Sequence, residues 1–142
     1  MFSEIRTDIY DYLYNLFYGV VTKNVYSMSE PQELTKSDTT DGFIVIRVGD
    51  TIDESEFSLE AYGSVRVFIW AYVPPKSRGR LDKEKYRTME TSIDNVVRQA
   101  MENPNEHYYI SDANALSMDM TTTSNANNLF YIFVKSFIVN LF

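Results

Sequence analysis

Residues 64–73 read Ser-Val-Arg-Val-Phe-Ile-Trp-Ala-Tyr-Val. In an extended chain Val65, Val67, Ile69, Ala71 and Val73 fall on one side, and Arg66, Phe68, Trp70 and Tyr72 on the other. β-Branched and aromatic residues suit a pleated surface, so this stretch predicts a strand. The aliphatic side predicts packing beneath helices. The aromatic side carries a single arginine and is too apolar to face open water. A patch of that size either marks a partner-binding surface or is covered by the N-terminal helix or the C-terminal strand region.

The neighbouring segments extend the pattern in both directions. Pro74 and Pro75 stop the strand, and Lys76, Ser77, Arg78, Gly79 and Arg80 follow as a basic loop expected to be flexible. Asp82 is placed to cap a helix whose apolar face is Tyr86, Met89, Ile93, Val96, Val97 and Ala100, ending at Asn103–Pro104. Upstream, Phe43–Val48 is an apolar strand broken only by Arg47 and closed by Gly49–Asp50. Gln32–Gly42 is polar and reads as a mobile loop, and Lys23–Met28 reads as a short strand around Val25 and Tyr26. Ile5, Ile9, Leu13, Leu16, Phe17 and Val20 recur at helical steps after a candidate cap at Ser3, with Gly19 near the helix end. Arg6, Asp8, Asp11 and Asn15 form the opposite face of that helix.

Downstream, His107–Ile110 is a candidate short strand. Thr121–Asn128 is a low-complexity polar turn. Leu129–Val139 is a final strand with both faces apolar. The tail Leu129–Phe142 is too short for a membrane span, which needs about 20 apolar residues. The first residues lack the basic and apolar regions of a signal peptide. The order α-β-β-β-α-β predicts one α+β domain over 1–142.

Composition narrows the chemistry. The chain has no cysteine and one histidine, which excludes disulfides, thiolate zinc sites and cysteine nucleophiles. Net charge is −7, against the basic face of a sequence-reading nucleic-acid binder. The acidic run Asp50–Glu60 lacks the alternating aspartates, central glycine and distal glutamate of a calcium loop. His107 has no nucleophile elbow or metal-ligand partners at a recognisable spacing. Neither an enzyme nor a cofactor is expected. Eleven tyrosines and nine phenylalanines suit half-buried rims and interfaces equally well. Lys76, Arg78 and Arg80, with Lys83, are the only concentrated positive charge. They read as contacts to an acidic neighbour or a phosphate backbone, or as a solvated tip.

This order of elements resembles the tail-terminator and tail-completion proteins, and the related head–tail joining (neck ring) proteins, of tailed bacteriophages. The correspondence runs from the helix Ile5–Val20 into Asn24-Val25-Tyr26, then the proline segment Ser29-Glu30-Pro31 and the strand Phe43-Ile44-Val45-Ile46. Val65–Val73, the helix Asp82–Met101 and the strand Phe130–Phe137 complete it. The 112–128 stretch is longer than the simple turn of that pattern, leaving room for an extra hairpin or an inter-subunit arm. The resemblance implies a mixed or antiparallel sheet of four or more strands with two helices packed on one face.

The resemblance implies a non-enzymatic virion protein, assembled in the host cytoplasm, forming a ring of six or twelve copies around the DNA channel. Its partners would be copies of itself and neighbouring portal, neck or tail-tube proteins. DNA would pass an acidic wall without sequence-specific binding, and no membrane is involved. Candidate assembly residues are Phe68, Trp70 and Tyr72 on the aromatic face, Lys76, Arg78 and Arg80 in the basic loop, and Phe137 and Phe142 in the C-terminal strand. The alternative is a small protein-binding adaptor that uses the aromatic face of strand 64–73.

Overall fold

The computed structural model describes residues 2–28, 31, 33–49, 63–114, 121–125 and 128–141. The acidic run 50–60, most of 112–128 and Phe142 lie outside the described residues or have undescribed side chains. In chain order the elements are helix α1 (Phe2–Phe17), strand β1 (Val25–Ser27), helix α2 (Lys36–Asp41), β2 (Phe43–Val48), β3 (Gly63–Val73), a 3-10 turn (Ser77–Gly79), helix α3 (Lys83–Glu102), β4 (Tyr108–Asn114), β5 (Thr121–Asn125) and β6 (Asn128–Leu141). The fold is α+β, as the pattern predicts.

One mixed sheet holds the molecule together. Its order is β1-β2-β3-β6-β4, and β5 also pairs with β6. β3 runs antiparallel to β6 from Gly63↔Leu141 to Val73↔Tyr131, so the 64–73 stretch lies at the sheet's centre. β4 pairs with the C-terminal half of β6 and β5 with its N-terminal half, so the two share one side of β6. β2 is antiparallel to β3, and β1 is parallel to β2. A parallel pair needs a crossover, supplied here by the segment from Met28 to Gly42.

α1 and α3 cover one face. Ile9, Leu13 and Phe17, four residues apart, are buried, as are Met89, Ile93, Val96, Val97 and Ala100 of α3. Both helices join the core formed by Val65, Val67, Ile69, Ala71 and Val73 with flanking β2 and β6 residues. That is the aliphatic side of the 64–73 stretch. Asp82 accepts a hydrogen bond from the Lys85 N–H at 3.1 Å, capping α3. α1 starts two residues earlier than a cap at Ser3 suggests and stops before Gly19, whose φ of +77° places it in the left-handed region. Val20 lies past the helix and is exposed, so it is not part of the apolar face.

The opposite face holds a second core. Phe43, Val45, Tyr72, Phe130 and Ile132 are buried together, with Tyr26, Leu34 and Trp70 at the margin. Phe43 stacks on Tyr72 with ring centres 4.3 Å apart, and Phe130 meets Phe43 edge-on at 5.2 Å. Such aromatic clusters stabilise beyond the area they bury.

Two polar segments turn out to be ordered elements. Gln32–Gly42, expected as a mobile loop, contains α2, closed by a capping box. Thr35 accepts from the Asp38 N–H at 3.1 Å while the Asp38 carboxylate accepts from the Thr35 N–H at 2.9 Å. Asp38 is fully buried and also accepts the Tyr26 hydroxyl at 2.8 Å. Thr121–Asn128, expected as a turn, supplies β5 and the first residue of β6. These pair down to Asn125↔Asn128, giving the extra hairpin.

Candidate assembly surfaces

The eight residues singled out from the sequence separate into core, margin and surface. Tyr72 is 1% exposed and stacked in the second core, and Phe137 is fully buried in the helix-side core. Neither is available as an interface, because each is covered by the core on its own face of the sheet. This also removes the apolar C-terminal strand as an exposed flank, since β6 lies between β3 and the β4/β5 pair. Phe142 lies outside the described residues.

Phe68 and Trp70 are half-buried. The Arg47 guanidinium sits 4.4 Å from the Trp70 ring centre, a cation–π arrangement across the Val45↔Trp70 and Arg47↔Phe68 pairs. Arg66 donates to the Ser136 hydroxyl at 3.2 Å on the same face. The aromatic row is therefore flanked by two arginines rather than one.

Lys76, Arg78 and Arg80 are exposed, on a segment that is built rather than floppy. The Lys76 N–H donates to the Arg80 carbonyl at 2.7 Å, and the Gly79 N–H donates to the Lys76 carbonyl at 3.2 Å. The Tyr131 hydroxyl donates to the Gly79 carbonyl at 2.7 Å, fastening the turn to β6. Arg78 is left-handed at φ +64°, a conformation non-glycine residues seldom adopt. The expectation of a flexible loop is corrected to a pinned, cationic turn.

A further surface was not singled out from the sequence. Tyr12 on α1 and Tyr108 at the start of β4 lie with ring centres 4.9 Å apart. Burial raises both hydroxyl pKa values, and the nearby Asp8 and Asp11 carboxylates push Tyr108 up further. Asp8 and Asp11 are exposed, and neither forms an ion pair among the described residues. The tyrosine-rich composition and the Asp8/Asp11 face of α1 were legible, but their meeting with Tyr108 depends on the helix-to-strand packing.

Other charged groups have structural settings. Lys135 is buried on the helix face of β6, with its ammonium 3.1 Å from Glu90 and 3.4 Å from Asp94 of α3. His107 is exposed in a turn where Asn105 accepts from the backbone N–H groups of His107 and Tyr108. Among the described residues no group of three or more His, Asp or Glu is placed to hold a metal ion. Among them, too, no helix is long and apolar enough to cross a membrane. No protein-family model matches the chain, and no curated protein matches it.

Proposed function

We propose that this chain is a structural subunit of the neck or tail of a tailed phage. It would form a ring around the DNA channel, joining head to tail or capping the tail tube. The observation that carries this reading is the architecture itself. A leading helix, the short β1, the β2–β3 pair, α3 and a long closing strand keep the order of the resembled pattern, with α2, β4 and β5 added to it. α1 and α3 lie together on one face of the mixed sheet. A ring subunit acts by shape and by paired surfaces, so its residues need only fold and dock. Heterologous contacts that close on themselves make such a ring.

Native mass spectrometry with negative-stain imaging of the purified chain tests the proposal. Closed particles of six or twelve copies are the expected result. A strict monomer, even with portal-side or tube partners present, counts against it.

The adaptor reading draws on the half-exposed Phe68 and Trp70 beside Arg47. A pulldown giving one defined heteromeric partner and no ring particles would favour it.

A further inference from the structure

We infer that the pinned cationic turn of one copy docks on the Tyr12–Tyr108 surface of the next copy, with Asp8 and Asp11 receiving its arginines. The inference rests on the ring reading and names the two surfaces that would join.

Chemistry and position both favour this pairing. A planar guanidinium stacks on aromatic rings and pairs with carboxylates through parallel hydrogen bonds. Arg78 and Arg80 are exposed cations on a turn held by backbone bonds and by Tyr131, so little backbone entropy remains to be lost on docking. The receiving surface offers two neighbouring tyrosine rings and two exposed carboxylates with no ion pair among the described residues. On a chain of net charge −7, the turn carries the densest exposed positive charge a second copy would present to these acids.

The two surfaces cannot satisfy each other within a chain. The turn follows Val73, and Tyr131, which pairs with Val73, holds it at that end. Tyr108 pairs with Leu141, which pairs with Gly63 at the other end of β3. β3 has 11 residues, so the two ends are separated by roughly 33 Å at about 3.3 Å per residue. Complementary patches at opposite ends of one subunit produce head-to-tail contacts, which close into rings or run on as filaments.

A charge-swap experiment decides the matter. One variant carries Arg78→Glu and Arg80→Glu, the other Asp8→Lys and Asp11→Lys. Circular dichroism and melting first establish that both fold like the parent, as expected of surface changes. Each variant alone should assemble roughly a hundredfold less readily, because like charges now face each other. Mixed in equal amounts they should assemble again, in particles with even copy numbers, since every junction then joins opposite charges. Assembly of the parent should also weaken as salt rises. If either variant alone assembles like the parent, or if the mixture of folded variants stays monomeric, the docking assignment is wrong while the ring reading survives. A parent chain that stays monomeric at every concentration, with portal-side or tube partners present as well, overturns both.

Discussion

Removing the Asp38 carboxylate tests whether α2 is a fixed part of the fold. The two carboxylate oxygens lie 2.8 Å from the Tyr26 hydroxyl, and one accepts the Thr35 N–H at 2.9 Å. A hydrogen bond to a charged group contributes about 1.5–3 kcal/mol, and losing a helix cap costs about 1 kcal/mol. Asp38→Ala should therefore destabilise by about 2.5–4 kcal/mol, a large share of a typical stability of about 5–15 kcal/mol. Tyr26→Phe should cost about 1.5 kcal/mol, since Asp38 keeps its bond to Thr35. The double variant should cost less than the sum by about 1 kcal/mol, because the bond between the two can be lost only once. Urea unfolding of the four proteins measures this. Additive costs, within about 0.5 kcal/mol, would refute the claim that these side chains hold α2 against β1.

The same pair has a signature in alkali. The Tyr26 hydroxyl is pushed up to about 12 by burial first, then by its hydrogen bond to Asp38 and by that carboxylate's charge. A folded-state value above the ordinary 10.0 means the folded protein prefers the protonated hydroxyl. That contribution is complete below pH 10 and is lost as pH rises toward 12. Tyr10, Tyr12 and Tyr108, also raised, act in the same sense. In Asp38→Asn the charge is gone, so Tyr26 should ionise at lower pH, followed by tyrosinate absorbance.

Three further perturbations have calculable directions. Glu90→Leu with Asp94→Leu should destabilise by about 3 kcal/mol, because it leaves the Lys135 ammonium buried and alone. Lys135→Met should cost no more than about 1 kcal/mol, since both acids reach water; thermal melts compare the two. Gly42→Ala should cost about 3 kcal/mol, because its φ is +85° and an added Cβ would meet the Tyr72 carbonyl at 2.5 Å. Gly19→Ala, at φ +77° with nothing within 4 Å, should cost about 1 kcal/mol, as denaturant titration would show. Deleting residues 129–142 removes nearly all of β6, the strand between β3 and β4/β5, and should abolish cooperative unfolding; a cooperative truncation would refute its central place.

Elements with sharp punctuation were readable to within a residue or two. β2 is bounded by Gly42 and Gly49, β3 is stopped by Pro74 and Pro75, and α3 starts at the Asp82 cap. α2 was hidden because Lys36–Asp41 has no apolar periodicity. Its signal is the Thr35-x-x-Asp38 spacing, a capping box with aspartate in place of glutamate. β5 was hidden because a Thr-Ser-Asn run reads as turn, and only pairing with β6 makes it a strand. Tyr72 was misassigned for a different reason. Period-two alternation separates the faces of a strand but is silent on what covers each one. Here Phe43 and Phe130, from the adjoining strands, cover Tyr72.

That correction changes how this subunit would assemble in its proposed role. With aliphatic residues under α1 and α3 on one face and an aromatic core on the other, the central strands offer a neighbour little beyond the half-exposed Phe68 and Trp70 beside Arg47. Ring docking then falls mainly on the ends of the sheet and the outer surface of the helices, where the accessible groups are charged or tyrosine-rich. Exposed ion pairs are individually weak, about 0–1 kcal/mol, and screened by salt. A single junction built from them would hold two free copies poorly. A closed ring, or a ring seated on a neighbouring one, engages each subunit at several junctions at once, and the second contact forms at high effective concentration. Weak charged junctions therefore favour a chain that stays dispersed while it is made and assembles when several contacts can form together.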